Sequence, residues 1–160
     1  MGIVHMRIDD RLIHGQVAGM WASYVSATRI IVVDDDAPND EMQKIALRLA
    51  TPAGIALSIF NRHKAVERLK SGAYDAQRVL VVSKSPDYFV YLMEHGISFD
   101  AVNVGNMTYD ETKVSLGKTV SLTKDDIINF RKLMDSGVHV TMRLVPANEP
   151  REMHAALEHL

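Results

Sequence analysis

The 160-residue chain carries 18 basic and 20 acidic side chains, a net charge of -2, so it has no global positive field to draw nucleic acid. With 47% hydrophobic and 24% charged residues it has the make-up of an ordinary globular domain, and no apolar run approaches the ~18 residues of a membrane span. The absence of cysteine excludes disulfides, a thiolate nucleophile and any cysteine metal site. No basic, then apolar, leader is visible at the N-terminus, so a cytoplasmic protein is expected. Without repeats, low-complexity tracts or linkers, residues 1–160 read as one domain.

Short apolar runs alternate with segments of helical period. Residues 3–8 read as a strand. Residues 16–24 follow with Val17, Met20, Trp21 and Tyr24 at i, i+3, i+4 and i+7, an amphipathic helix. Residues 29–33 (RIIVV) have the pattern of a strand buried on both faces. Residues 38–50 form a helix with Met42, Ile45, Ala46 and Leu49 on one face, and Pro38, Asp40 and Glu41 suit its start. Residues 55–60 are strand-like, and Asn61 caps a helix running to about Leu69. Residues 78–82 (RVLVV) make another strand; Ser85-Pro86-Asp87 opens a helix that Gly96 closes.

Residues 101–104 are a short strand, and residues 119–122 form a candidate one. Thr123 with Asp126 begins a further helix in the manner of a capping box, ending near Gly137. Residues 138–142 are the last strand. Residues 105–118 break the rhythm and read as a long loop, and the tail after Pro146 is polar without clear periodicity. Strand–helix alternation predicts an α/β fold, an open and mostly parallel sheet covered by helices on both faces. Ligands of such sheets bind outside the carboxyl ends of the strands, which directs attention to residues 9–15, 34–37, 83–86 and 105–110.

The first of these loops carries the chemistry. His14 stands just before a helix, whose first N–H groups attract anions. Arg7 ends the preceding strand and Arg11 lies three residues before His14, and guanidinium forks match phosphate oxygens. Imidazole, titrating near ~6.5, is a nucleophile at neutral pH. Asp9 or Asp10 is placed to accept a hydrogen bond from one ring nitrogen and so select the other for attack. Gly15 leaves room for a phosphoryl donor, and Gln16 begins the helix. Lys84 and Asn106, in later loops of the same end, are further candidates for phosphate or sugar contact.

The remaining histidines have ordinary settings. His5 and His139 lie in strands, His63, His154 and His159 in helical or tail segments, and His95 near a helix C-terminus. None has convincing metal-ligand spacing, and no metal or cofactor is expected. Met6 and Met107 read as packing residues. Three other chemistries compete. Asp34-Asp35-Asp36 after a buried strand, with Lys84, could form a receiver-like, metal-dependent aspartate switch, although the strand at residues 55–60 ends without an aspartate. A histidine-nucleophile phosphatase would need a second histidine near His14. A non-catalytic anion-binding module is the third; a dinucleotide site is excluded because no G-x-G-x-x-G follows a strand.

The segment RIDDRLIHGQV (residues 7–17) resembles the signature of the mannose/fructose/sorbose-type enzyme IIB subunits of the bacterial sugar phosphotransferase system. The likeness continues collinearly through TRIIVVDDDAPND (residues 28–40), VNVGNMTY (residues 102–109) and DSGVHV with the VP ending at Pro146. The resemblance implies a sheet of about seven strands. It implies a protein-phosphohistidine–sugar phosphotransferase component, whose Nδ1 of His14 receives a phosphoryl group from enzyme IIA and passes it to a sugar held by membrane subunits IIC and IID. Arg7 and Arg11 match the family's basic residues flanking the phosphohistidine, and Asp9 its nearby acid. Gly105-Asn106-Met107 stands where many members have Gly-Gly-Met. With Ser83-Lys84-Ser85-Pro86 it is more like the N-acetylgalactosamine/galactosamine branch. The resemblance also implies peripheral association with a membrane transporter and admits a homo-oligomer.

Overall fold

The computed structural model describes residues 2–160. Its elements follow one another as β1 (Ile3–Asp9), α1 (Gly15–Tyr24), β2 (Arg29–Val33), α2 (Glu41–Ala50), β3 (Ala56–Phe60) and α3 (Arg62–Lys70). Then come β4 (Val79–Ser83), α4 (Pro86–Glu94), β5 (Ala101–Asn106), β6 (Val114–Ser115) and β7 (Ser121–Leu122). The chain ends with α5 (Lys124–Asp135), β8 (His139–Met142), β9 (Arg151–Glu152) and α6 (Met153–Glu158).

Seven strands form one sheet in the order β3-β2-β4-β1-β5-β8-β9. The first six pair in parallel and β9 joins β8 antiparallel. The central runs are apolar on both faces because both are covered, as a parallel sheet requires. Ile31 and Val33 enter a core shared with α3, α4, α5 and α6, while Ile30 and Val32 face α1 and α2 with Leu80 and Val82. Helix starts follow side-chain chemistry. Asp40 accepts from the Gln43 N–H at 3.0 Å and Asn61 from that of Lys64 at 2.7 Å. Thr123 and Asp126 complete a reciprocal capping box.

Three sequence readings change. Residues 105–118 are not a bare loop: β6 and β7 make a small antiparallel ribbon, joined to the end of β5 by a bridge from Met107 to Val120. The candidate strand at residues 119–122 therefore belongs to this ribbon and not to the main sheet. The polar tail supplies the seventh strand, β9, and α6, whose Met153 and Leu157 are buried. The apolar stripe of α2, whose direction the sequence left open, points outward. Only Leu47 of that helix is buried, whereas Met42, Ile45 and Leu49 are 80%, 52% and 82% exposed. Periodicity identifies a stripe but does not say which way it faces.

Candidate phosphoryl-transfer site

The chain leaves β1 toward β2 on one side of the sheet, while β5 leads to β8 on the other, so the β1–β5 boundary is a topological switch point. The loop from Asp9 to Gly15 opens there. The backbone turns sharply: the Leu12 N–H donates to the Asp9 carbonyl at 2.8 Å, and Leu12 adopts a left-handed φ of 63° while its side chain is buried. Burial of Leu12 and Ile13 anchors the turn against the α1 side of the sheet and leaves His14, Gly15 and Gln16 exposed.

His14 occupies the N-cap position of α1, with extended backbone, yet its side chain makes no capping hydrogen bond. The imidazole is not consumed in holding the helix. Gly15 has φ +38° and nothing within 4 Å of where a Cβ would stand. Backbone conformation requires glycine here, and its bare surface also leaves an open approach to the ring.

Behind the loop, Asp9 is 1% exposed and receives two guanidinium groups. Arg11 binds it through Nε to Oδ1 at 2.9 Å and Nη2 to Oδ2 at 2.8 Å, and the Arg11 N–H adds a bond at 3.0 Å. This two-pronged grip fixes Arg11, which stays partly exposed. Those hydrogen bonds hold the Arg11 pKa above its ordinary value, so its charge is permanent. Nη1 of Arg11 has no hydrogen-bond partner among the described residues, which leaves it able to meet an anion.

Arg7 is 3% exposed and works differently. Its Nη1 donates to Asn103 Oδ1 at 2.6 Å and the Arg143 carbonyl at 3.3 Å; its Nη2 donates to Asp9 at 3.1 Å and the Leu144 carbonyl at 3.2 Å. Both terminal nitrogens are thus occupied, so Arg7 contributes field and scaffolding, not a direct fork for phosphate. Burial lowers its pKa and Asp9 counters that. Gly105 on β5 makes room for this arrangement: a Cβ there would overlap the Arg7 guanidinium.

The expected hydrogen bond from the His14 ring to Asp9 or Asp10 is absent. Asp9 is taken up by the two arginines, and Asp10 receives the Asn106 side-chain amide at 2.7 Å and the Thr108 N–H at 2.6 Å. Asn106 therefore ties the β5 loop to the first loop. Lys84 reaches Asp34 at 3.0 Å and Asp36 at 3.2 Å. Burial opposes its charge, but hydrogen bonds to both carboxylates outweigh that and raise its pKa. Both of its partners belong to the loop after β2.

The family described as the PTS system sorbose subfamily IIB component matches residues 3–159. The chain belongs to that IIB family of the phosphotransferase system. This IIB chain is 36% identical over 148 residues to the fructose-specific EIIB component of Bacillus subtilis strain 168, covering 92% of this chain and 91% of the relative. It is 35% identical over 144 residues to the N-acetylgalactosamine-specific enzyme IIB component 2 of Escherichia coli K12, covering 90% and 91%. Its structure matches that of the IIBSor domain of the sorbose permease from Klebsiella pneumoniae with a TM-score of 0.95 at 33% identity, over 99% and 98% of the two chains.

The rival chemistries find little support in this IIB fold. The acid triplet is splayed: Asp34 accepts from the Ala37 N–H at 2.9 Å and pairs with Lys84, whereas Asp35 pairs with Arg62 at 2.8 Å. Among the described residues no group of three or more His, Cys, Asp or Glu could hold a metal ion. His139 begins β8 at the opposite end of the sheet, paired with Glu152 at 2.6 Å. His5 lies deep in β1, stacked on Trp21 at 4.6 Å. Neither attends His14.

Sequence reasoning did not single out Asn103, Arg143 or the hub role of Trp21. Trp21 donates to the Leu144 carbonyl at 2.9 Å and lies beneath the guanidinium groups of Arg7 and Arg143 at 5.4 and 5.6 Å. A polar Asn inside the apolar run AVNVG, and an Arg directly after the last parallel strand, were the available signals.

Proposed function

We propose that this IIB chain is a phosphocarrier whose His14 accepts a phosphoryl group from enzyme IIA and delivers it to a sugar held by membrane subunits IIC and IID. The observation that carries this reading is an exposed imidazole at a helix start that makes no hydrogen bond among the described residues, in the loop that also carries an arginine gripped by a buried aspartate. In the accepting step, Nδ1 of His14 attacks phosphorus, and the phosphorus–nitrogen bond of the donor phosphohistidine breaks as the new one forms. In the delivering step, a sugar hydroxyl attacks phosphorus, its proton leaves to a base outside this chain, and the His14–phosphorus bond breaks. The uncommitted donors of Arg11 and the first N–H groups of α1 stabilise charge on the oxygens in both steps. Arg7 and Asp9 hold that apparatus in place. With the Arg11 fork spent on Asp9 and only its remaining donors on the phosphate, the carrier does not trap its cargo.

Fructose and N-acetylgalactosamine relatives match at 36% and 35%, so identity separates no sugar. Asn106 and the Ser83–Pro86 sequence make the N-acetylgalactosamine type the first to try. The chain works at the cytoplasmic face, next to its transporter. The test is phosphorylation by phosphoenolpyruvate, the general phosphotransferase proteins and a matching enzyme IIA. Acid-labile, alkali-stable label is expected on the wild type and none on His14→Ala; equal label on both would move the site elsewhere.

A further inference from the structure

Asn103 is the polar residue inside the apolar run AVNVG, and it is only 5% exposed. A buried amide is costly unless its polar atoms are bonded, and here both are. Strand register sets Asn103 of β5 beside Arg7 of β1. Its Oδ1 accepts from Arg7 Nη1 at 2.6 Å, and its Nδ2 donates to the Arg143 carbonyl at 2.9 Å. A planar amide supplies that acceptor and that donor together, without carrying charge.

The missing charge matters as much as the two bonds. The buried cluster holds two guanidinium groups, Arg7 and Arg11, in contact with one carboxylate, Asp9. The next acid, Asp10, turns to Asn106 and Thr108 instead. Arg7 places Nη2 on Asp9 at 3.1 Å and gives Nη1 to Asn103. That division lets Asp9 hold Arg11 with both oxygens, at 2.9 and 2.8 Å. Without the Asn103 oxygen, Nη1 would keep only the Arg143 carbonyl at 3.3 Å. Arg7 would then swing further onto Asp9 and compete with Arg11 for it, because a carboxylate is the stronger acceptor. With a carboxylate in place of the amide, Arg7 would have an anion of its own, and the surplus positive charge of the cluster would be cancelled. An uncharged acceptor avoids both outcomes.

We infer that Asn103 is a positioning residue for phosphoryl transfer: it limits Arg7 to one contact with Asp9 and so preserves the two-pronged grip on Arg11. The inference rests on the phosphocarrier reading of His14 and adds a member to that site. Asn103 is buried on β5 and acts only through Arg7, Asp9 and Arg11.

Single-turnover labelling of His14 by phosphorylated enzyme IIA tests it, with wild type and His14→Ala as references. Asn103→Leu, close in size but apolar, should slow transfer about 10–100-fold. The concentration of phosphorylated enzyme IIA that gives half the maximal rate should stay within about twofold, because a buried side chain forms no part of a docking surface. Asn103→Asp keeps an acceptor for Arg7 but adds the charge, and should be slowed at least as much. In an Arg11→Ala background either substitution should cost less than about twofold more, since its effect runs through Arg11. A merely structural role would cost the same in both backgrounds. Circular dichroism and the final extent of labelling report the folded fraction apart from the rate, and Asn103→Asp carries the test if Asn103→Leu does not fold. A wild-type rate in a folded variant, or an equal loss with and without Arg11, overturns the proposal and leaves the carrier reading standing. A wild type that takes no label overturns both.

Discussion

The loop after β1 and the loop after β2 lie at the same end of the sheet and begin alike. Each opens with an aspartate only 1% exposed, Asp9 and Asp34, and each brings a cation to it. They differ in what remains once the pairing is done. At the first loop, Arg7 and Arg11 face Asp9, while Asp10 is occupied by Asn106 and Thr108. Arg11 keeps donors to spare, and the His14 imidazole of the same loop makes no capping bond. At the second, Asp34, Asp35, Asp36 and Asp87 surround only Lys84 and Arg62, and both cations are shared between two carboxylates. The first loop is left with uncommitted positive charge and the second with surplus negative charge. A buried aspartate therefore does not tell the two loops apart; the charge left over does.

The strongest way to break this contrast is to remove Asp9. Asp9→Ala leaves Arg7 buried beside Arg11 with no counter-charge, which should cost about 3–5 kcal/mol of stability in denaturant unfolding and also disorder Arg11. If Asp9→Ala unfolds at the wild-type midpoint, the scaffold described here is not what holds the loop. Next, Arg11→Ala should slow phosphoryl transfer about 10²-fold, followed by quenched-flow labelling, with little change in melting because Asp9 keeps Arg7. Arg11→Lys should recover only part of the rate, since an ammonium cannot grip Asp9 with two prongs.

A pH scan sharpens the comparison from below the first loop. Burial, with help from Arg7 and Arg143 and against the pull of the Asn103 side-chain oxygen, lowers His5 from the ordinary 6.5 to about 4. Its Nε2 is buried without a partner, as a neutral ring tolerates. Below pH ~6.5 the unfolded chain takes up a proton at His5 that the folded chain refuses until about 4. Stability should thus be complete above that range and fall by about 2–3 kcal/mol as pH drops through it, a slope that His5→Phe should flatten. The smallest effect is expected at the second loop. Lys84→Ala should cost about 1–2 kcal/mol, reduced because the ammonium is partly solvated, and should leave labelling of His14 within about twofold of wild type. Loss of labelling there would erase the contrast.

How much of this was legible in the sequence follows from distance along the chain. Arg11 and His14 share one short loop, so spacing and a helix start sufficed to pair them. The strand–helix alternation likewise announced the parallel sheet. Arg7 was legible as a nearby cation, but its inward role was not, because its acceptors lie up to 137 residues away. The same holds for Asp10, whose partners Asn106 and Thr108 come from β5 and its loop and draw it away from the ring. β9 escaped notice because two polar residues, Arg151 and Glu152, become a strand only when β8 offers an edge. The α2 stripe was read correctly as a stripe, but no local rule tells an inward face from an outward one.

Gly105 has a bearing on how this protein could be altered. Its missing side chain is the space in which the Arg7 guanidinium sits. A mutagenesis library that varies residue 105 alone would return almost nothing but glycine, and one that varies Arg7 alone would leave a hole against β5. Only variants that shrink position 7 while enlarging position 105 could cross between alternatives. The two sites therefore behave as a single unit of inheritance, separated by 98 positions in the gene product yet unable to drift apart.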